Sequence, residues 1–249
     1  GGTIAAIARE KAGIAKPGAP VVTGVHQPAA RQAVEAAAAA CGTPCYRLGR
    51  DFRPRRRGEG RFDYLGLDRR WSDLTLRLTG PHQVGNAALA LAAAEVLIRN
   101  GLPLGEDQVR RALARVQWPG RLQQVSARPA VIVDGAHNLA AARNLARHLA
   151  AAYPASRVTL VLGMLDDKPY RGMLAALLPT AARVVICAPV IDRAIPAATL
   201  GAAAAALHPA VTVIPQVPAA VLTTFRQAAP DDVICIAGSL YVAGEAMAA

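Results

Sequence analysis

The clearest pattern in the sequence is an alternation of short apolar runs with helical segments from residue 118 onward. Continuous apolar strands that alternate with helices are typical of a parallel sheet with both faces covered. We therefore predict an α/β fold with a doubly wound, mostly parallel sheet over 118–249. The predicted strands are 130–134, 158–163, 183–189, 210–215 and 232–238, and the predicted helices are about 139–152, 171–178, 197–206, 217–228 and 239–248.

The first part of the chain has a different rhythm. Alternating segments near 62–67 and 74–78 predict an antiparallel hairpin or meander. The arginine-rich stretch 50–61 is expected to be turn-rich, as the solvated tip of a hairpin. Because a Pro-Gly break follows Trp118, we place a domain boundary there, giving domains of 1–117 and 118–249. The other predicted elements are helices at 3–12, 28–40, 84–100 and 106–116, and strands at 19–23 and near 44–48.

Composition narrows the class of protein. Of 249 residues, 53% are hydrophobic and 18% are charged, which excludes general disorder, and no apolar run is long enough to predict a membrane span. A net charge of +11 favours polyanionic ligands, such as a nucleotide, a nucleic acid or a polyacid. The four cysteines lack the spacing of a zinc or disulfide framework, so the predicted location is the reducing cytoplasm.

The sequence contains no G-x-x-x-x-G-K-[ST] phosphate loop, no G-x-G-x-x-G after a strand and no G-x-S-x-G elbow. The richest segment is instead 118–138, WPGRLQQVSARPAVIVDGAHN. Asp134 and His137 follow a predicted strand, at the edge where doubly wound sheets bind ligands. Asp134 can orient a ribose hydroxyl or a metal-bound water, and His137 can contact a carboxylate or phosphate. Alternatively, Asp134 and Asn138 only cap the next helix.

Two further polar residues are candidates for nucleotide recognition. Arg121 lies at the predicted domain junction, where its guanidinium can fork onto phosphate oxygens or form an exposed ion pair between the domains. Asn86 lies at the start of a predicted helix, where its amide can contact an adenine edge or cap the helix. The segment 163–170 places Asp166, Asp167 and Lys168 after another strand, either as ligand-binding groups or as a solvated charged turn.

Lys11 is one of only three lysines among 28 cationic residues. It lies in the last turn of a predicted helix, where the helix dipole favours a cation, and this is a sufficient structural reason for it. The alternative is carbamylation by CO₂, which would turn the side chain into an oxygen donor suited to Mg²⁺. Only an unprotonated amine reacts in this way, and burial or nearby cations favour that form.

Six stretches, in this order, resemble the folylpolyglutamate synthase/dihydrofolate synthase family of the Mur ligase superfamily. Within them, EKAGI and DGAHN are the most specific. The stretches are TIAAIAREKAGIAKPGAPVVTG (3–24), GPHQVGNAALALAA (80–93), WPGRLQ (118–123), VDGAHN (133–138), VLGMLDDK (161–168) and IAGSLYVAGE (236–245).

This resemblance implies an ATP-dependent ligase of folate biosynthesis and one-carbon metabolism, which adds L-glutamate to folate, to dihydropteroate or to both. Mg-ATP would phosphorylate the substrate carboxylate, and the amine of glutamate would attack the acyl phosphate. By motif match, Lys11 resembles the carbamylated lysine of the family's Mg²⁺ site. Asn86, Arg121 and Asp134 resemble its ATP contacts, and His137 an active-site histidine near the phosphates and the incoming amino acid. We expect these side chains to converge on one triphosphate.

The resemblance also implies that 1–117 is the C-terminal part of a P-loop-type central domain, and that 118–249 is a Rossmann-like C-terminal domain. The family's phosphate loop, pterin-binding segment and acidic and His metal ligands precede the EKAGI helix and are missing, so we expect a truncated ligase that is inactive alone. Two local departures are Leu139, where the family usually has Pro, and Pro169, where an acidic residue is common.

Two other functions remain open. The chain could belong to another Mur-type ligase, one that adds amino acids to a cell-wall precursor. It could also be a non-catalytic, basic module that binds nucleotide or nucleic acid, because the chain is basic and lacks a phosphate loop. With the folate-ligase interpretation we expect a monomer that acts on small molecules and has no nucleic acid or membrane partner.

Overall fold

The computed structural model describes residues 3–58, 60–80 and 82–249. The chain folds as two units, Gly1–Gln117 and Trp118–Ala249. The assignment of these units to particular domains of a ligase stays a prediction. Within the described residues, no helix combines the length and the apolar character needed to cross a membrane.

The first unit begins with two helices and two short parallel strands. Helices α1 (Ile4–Ala12) and α2 (Pro28–Ala40) pack against each other, and β1 (Val21–Thr23) pairs in parallel with β2 (Cys45–Arg47). The hydroxyl of Thr3 accepts a hydrogen bond from the backbone N–H of Ala6 at 3.1 Å, so it caps α1. The two helices and two strands that the sequence predicts over 3–48 are all present in the structure.

The rest of the first unit is a three-stranded antiparallel sheet with two helices. Strand β4 lies between β3 and β5, and α3 and α4 cover the sheet. The aromatic residues Phe62, Tyr64 and Trp71 are buried in the core of this unit with the apolar residues of α3. The elements are β3 (Arg53–Gly58), β4 (Arg61–Leu65), β5 (Arg70–Thr75), α3 (Gln83–Arg99) and α4 (Glu106–Arg115).

The arginine-rich stretch corrects one sequence prediction. The sequence predicts a solvated hairpin tip over 50–61, but this stretch contains the edge strand β3, which pairs with β4 along its length. An edge strand can keep its side chains in water while its backbone bonds to one neighbour, so no apolar alternation is required. Arginine can therefore occupy successive positions of this strand.

One buried carboxylate organises the turn between β4 and β5. Glu95, on α3, is 1% exposed. It accepts hydrogen bonds from the hydroxyl of Tyr64 at 2.7 Å and from the backbone N–H groups of Leu67, Asp68 and Arg69. A buried carboxylate needs such donors, because without them its desolvation would destabilise the fold. Glu95 thus fixes the turn to the helix.

The second unit contains a six-stranded sheet in the order β10-β9-β8-β11-β7-β6. All neighbouring strands are parallel except β6, which is antiparallel to β7. The five predicted strands are confirmed, whereas β6 was not predicted, because its residues QQVSA have no regular alternation. The strands are β6 (Gln123–Ala127), β7 (Ala130–Val133), β8 (Val158–Leu162), β9 (Arg183–Ala188), β10 (Val211–Gln216) and β11 (Val233–Ala237).

Helices cover both faces of this sheet, which confirms the doubly wound α/β prediction. Three helices share one apolar core with alternate side chains of the strands: α5 (Leu139–Ala152), α6 (Tyr170–Leu177) and α7 (Ala197–Ala205). The other two, α8 (Val217–Gln227) and α9 (Leu240–Met247), pack on the remaining side chains of the same strands. Burial on both faces explains why the inner strands β8, β9 and β11 are largely apolar, whereas the edge strand β10 has mostly exposed positions.

Candidate active site

The sheet of the second unit has a topological switch point beside β11. This strand lies between β7 and β8, and the chain leaves it toward α9 on one face, while it leaves both neighbours toward helices on the other face. Connections that diverge in this way leave a crevice at the carboxyl ends of the strands, where doubly wound proteins bind ligands. Asp134, directly after β7, and Ser239, shortly after β11, both lie at this edge.

Asp134 anchors the segment that precedes β6. Its side chain is 7% exposed, and its Oδ2 accepts a hydrogen bond from the backbone N–H of Leu122 at 2.9 Å. The next residue, Gly135, donates its N–H to the carbonyl of Gly120 at 2.7 Å. These two bonds hold residues 120–122 against the end of β7. The proposed helix-capping role of Asp134 is wrong, whereas Asn138 does cap α5, accepting from the N–H of Ala141 at 2.9 Å.

Arg121 is presented by this anchored segment. The residues on either side of it, Gly120 and Leu122, have φ angles of 69° and 44°, so the chain turns sharply at Arg121. The Arg121 side chain is half-buried, and within the described residues of its own unit it forms no ion pair or hydrogen bond. A guanidinium in this position has all its N–H donors available for a ligand.

His137 is oriented by its neighbours. The ring Nδ1 lies 2.9 Å from the carbonyl oxygen of Gly135, and a carbonyl can only accept, so Nδ1 carries a proton. The Asn138 amide oxygen is engaged in capping α5, which turns its NH₂ toward Nε2 of His137 at 3.4 Å. Nε2 is therefore placed as an acceptor, and the neutral ring can receive a proton there.

The turn after β8 carries a compensated group of charges. Lys168 Nζ lies 2.7 Å from Asp167 Oδ2, and a guanidinium nitrogen of Arg193 lies 3.3 Å from the same oxygen. The hydrogen bond from Lys168 lowers the pKa of Asp167. Asp167 is therefore part of a charged turn, as one of the two interpretations predicted. This turn follows β8 at the carboxyl edge of the sheet, where ligands bind in such folds.

The two predicted site residues of the first unit are both exposed. Asn86 lies in the first turn of α3, where its amide donates to Gln83 Oε1 at 3.0 Å. The proposed capping role is wrong, because the N-cap residue is His82. Lys11 is solvent-exposed, lies 3.7 Å from Glu10, and borders a cavity of about 340 Å³ that is also lined by Ile14, Val21, Thr23 and Val34.

Comparison with known proteins places the chain in a family. The family model "Mur ligase, glutamate ligase domain" matches residues 120–240. The folylpolyglutamate synthase of Lacticaseibacillus casei is 36% identical over 249 residues, which cover 98% of this chain and 56% of that protein. The chain belongs to the folylpolyglutamate synthase/dihydrofolate synthase family.

Solved structures agree with this membership. A Mycobacterium tuberculosis folylpolyglutamate synthase complexed with ADP superposes with a TM-score of 0.90 at 32% identity, over 100% of this chain and 59% of that one. A bifunctional folylpolyglutamate synthase/dihydrofolate synthase with Mn, AMPPNP and L-glutamate bound gives a TM-score of 0.82 at 30% identity, over 98% and 56%. The chain thus spans little more than half the length of these family members.

The described residues do not form a metal site by themselves. No group of three or more His, Cys, Asp or Glu side chains in the described part of the chain is placed to hold a metal ion. Lys11 would supply an oxygen ligand only if carbamylated, and in this conformation it is neither buried nor beside a clustered set of acidic ligands.

The structure also adds residues that sequence reasoning did not single out. Ser239 is fully buried and caps α9, accepting from the N–H of Val242 at 3.1 Å. The preceding Gly238 has φ 108°, and a Cβ there would lie 2.5 Å from the carbonyl oxygen of Gly163. The signal available in the sequence was a glycine and then a helix-capping residue, Ser239, directly after the apolar run of β11.

Proposed function

We propose that the protein is an ATP-dependent ligase that joins L-glutamate to a folate, to dihydropteroate or to both, through an acyl phosphate. The observation that carries the proposal is the half-buried residue Arg121, whose guanidinium is available for a ligand on a segment that Asp134 anchors at the carboxyl edge of the sheet. Such a cation is suited to the phosphate oxygens of a nucleotide. The relatives with ADP, or with AMPPNP, Mn and L-glutamate, support the same ligands.

In the proposed reaction, a carboxylate oxygen of the pteroate or folate bonds to the γ-phosphorus of ATP, and ADP leaves. The amino nitrogen of glutamate then bonds to the acyl carbon, and inorganic phosphate leaves. Positioning and charge neutralisation supply most of the rate enhancement in phosphoryl transfer. We assign phosphate neutralisation to Arg121, orientation of the ribose hydroxyls to Asp134 and contact with the adenine edge to Asn86.

His137 has a distinct part in the proposal. Its Nε2 is placed as a proton acceptor because Nδ1 donates to the carbonyl of Gly135. Glutamate must lose a proton from its ammonium group before its nitrogen can attack the acyl phosphate. We therefore propose His137 Nε2 as the group that receives this proton.

We propose that Mg²⁺ binds together with the nucleotide, because phosphate oxygens are the hard ligands that this ion prefers. When bound, the ion neutralises charge on the phosphates. We retain the carbamylated form of Lys11 as a proposed additional ligand. The proposal also includes action in the cytoplasm, which the four free cysteines support, and action as a monomer without a nucleic acid or membrane partner.

The proposal is tested by ADP binding, measured by isothermal titration calorimetry, with Arg121→Gln and a matched control. We expect Arg121→Gln to weaken ADP binding about tenfold or more, because charge-assisted contacts to a phosphate are lost. Arg143→Gln removes the same charge from an exposed position on α5 and should leave the affinity unchanged.

The reaction itself is measured as ATP-dependent incorporation of labelled glutamate into folate and dihydropteroate, in the longest natural protein that contains this chain. A UDP-muramyl substrate serves as the comparison. Incorporation into the UDP-muramyl compound alone, or equal ADP affinity for Arg121→Gln and the unchanged protein, would refute the proposal.

A further inference from the structure

The outward side of the antiparallel sheet in the first unit is rich in arginine. Strand register places Arg53 opposite Leu65 and Arg55 opposite Asp63, while Leu65 also pairs with Arg70 on the far strand. Since side chains alternate along a strand, these residues lie on the side away from the buried Phe62 and Tyr64. We call Arg53, Arg55, Arg57 and Arg70, together with Leu65 and Asp63, the arginine face.

The positive charge of the arginine face is only partly compensated. Arg57 bonds to Asp63, with its Nε 2.8 Å from Oδ2, and this bond lowers the pKa of that carboxyl. Arg53, Arg55 and Arg70 are exposed and form no ion pair or side-chain hydrogen bond with another described residue. Arg55 lies opposite Asp63 and its charge also lowers the pKa of that carboxyl, so one carboxylate serves several guanidinium groups. A surplus of like charges opposes folding slightly, so its concentration on one surface favours an anionic partner.

The spacing of these guanidinium groups suits a flexible chain of carboxylates. Arg53 and Arg55 are alternate residues of one strand, so their backbones lie about 6.7 Å apart. Arg53 and Arg70 are on strands that flank β4, so their backbones lie two strand spacings apart, about 9.6 Å in total. A γ-linked glutamyl chain carries one free α-carboxylate per residue, and standard bond lengths give it a repeat of about 6 Å when extended. Its carboxylates can therefore reach successive arginines, each of which binds a carboxylate through two N–H groups.

We propose that the arginine face binds the γ-glutamyl chain of a polyglutamylated folate. The proposal rests on the proposed function, because glutamate addition to a folate produces such chains, but it concerns residues of the first unit, whereas Arg121 and Asp134 belong to the second. Holding the chain by several weak contacts would raise the time that a lengthening product stays near the protein, through the effective concentration that multiple contacts create.

A nucleic acid fits the arginine face less well. Single-stranded nucleic acids are bound by positive grooves that also offer aromatic side chains for base stacking. The aromatic residues of this sheet, Phe62, Tyr64 and Trp71, are all at most 2% exposed and belong to the core on the opposite side. The arginine face therefore offers charge without a stacking surface.

The test is binding of a fluorescently labelled γ-linked pentaglutamate, followed by anisotropy at low salt. We expect Arg53→Gln/Arg55→Gln to weaken this binding about tenfold, the effect of losing two exposed charge contacts. The control Arg143→Gln/Arg226→Gln removes the same charge from exposed helix positions of the second unit and should change the affinity less than twofold. If circular dichroism shows that the double variant is unfolded, the single variant Arg70→Gln replaces it, with an expected loss of about threefold.

Three results would overturn the proposal: equal losses in the test and control variants, free glutamate binding as tightly as the pentaglutamate, or tighter binding of an RNA oligomer of the same net charge. ADP binding is measured on the same samples. Normal ADP binding without pentaglutamate binding would refute the arginine face alone. Pentaglutamate binding without any ADP binding would instead refute the proposed ligase function.

Discussion

The carboxylate of Asp134 is joined to the backbone N–H of Leu122 by a hydrogen bond of 2.9 Å that is buried in the second unit. Leu122 has a φ of 44°, a conformation that L residues seldom adopt, so this bond offsets local strain. Arg121 is adjacent, and its position therefore depends on Asp134. Because this bond is made within the protein itself, the role of Asp134 in stability can be measured by unfolding, separately from any role in nucleotide binding.

The first prediction concerns the stability that Asp134 supplies. Asp134→Ala leaves the N–H of Leu122 buried without a partner, and we expect the free energy of unfolding to fall by about 1–3 kcal/mol. Asp134→Asn retains an acceptor and should lose less. Urea unfolding measures both, and Asp192→Ala, at an exposed position, is the control with an expected change below about 0.5 kcal/mol. A variant Asp134→Ala as stable as this control would contradict the role.

The second prediction compares two glycines near the end of the chain. Gly238 has φ 108° and a carbonyl oxygen 2.5 Å from where a Cβ would be, whereas Gly244, within α9, has open space. We expect Gly238→Ala to lower the free energy of unfolding by about 1–3 kcal/mol. Gly244→Ala should raise it by about 0.5–1 kcal/mol, because alanine favours a helix. Thermal unfolding of both variants tests this, and changes of the same sign would contradict the tight approach at Gly238.

The parallel sheet could be predicted because its central strands are buried on both faces. β8 and β11 are buried at every position, and their sequences are accordingly apolar except for the buried Thr159 of β8. β3 and β6 are edge strands with mostly exposed or half-buried side chains, and they are strands because they pair with β4 and β7. Such dependence on a partner leaves little local pattern in a sequence.

The same distinction applies to the candidate site. The position of Asp134 at the carboxyl edge follows from its place after a predicted strand, so sequence could indicate it. Its bond to Leu122 joins residues twelve positions apart and exists only because β6 folds back on β7. The prediction of a helix cap was wrong for Asp134 and Asn86 and was confirmed for Asn138. A residue caps a helix only if the helix begins directly after it, and the sequence does not fix that position to within one residue.

The third prediction concerns the pH dependence of stability at Tyr64. Burial raises the pKa of Tyr64, and the hydrogen bond to Glu95 raises it further. A raised folded-state pKa contributes stability that is complete below the unfolded value of about 10 and is lost as the pH rises above it. Tyr64→Phe should therefore be less stable than the unchanged protein by about 1–3 kcal/mol at pH 7. The difference should shrink above pH 10, and a constant difference in urea unfolding from pH 7 to 11 would exclude this coupling.

The fourth prediction concerns Lys11. Its side chain is exposed, and among the described residues it is paired only with Glu10, so the described residues do not hold a carbamate at this position. If nucleotide and metal are what stabilise the carbamate, native mass spectrometry in bicarbonate should show the added CO₂ with Mg-ATP present and not without it. Lys16→Arg should leave the added mass, and Lys11→Arg should abolish it. A bare amine at ample bicarbonate with Mg-ATP would count against carbamylation.

The fifth prediction concerns the tautomer of His137. The carbonyl of Gly135 accepts from Nδ1, and the Asn138 NH₂ is turned toward Nε2 because its oxygen caps α5. The first contact requires a proton on Nδ1 and the second favours an unprotonated Nε2, so together they favour the Nδ1-protonated tautomer of the neutral ring. Nitrogen-15 NMR should therefore show that the neutral form of this ring carries its proton on Nδ1 and not on Nε2.

A matched variant tests the cause of this tautomer. Asn138→Asp keeps the oxygen that caps α5 but replaces the NH₂ with a second acceptor, which would favour a proton on Nε2 as well. We therefore expect the ring in Asn138→Asp to carry a proton on Nε2 more often than in the unchanged protein, and glutamate incorporation to fall, because Nε2 is then less available as an acceptor. A ring protonated at Nε2 alone in the unchanged protein would remove the basis for His137 as the proton acceptor, because that nitrogen could then only donate.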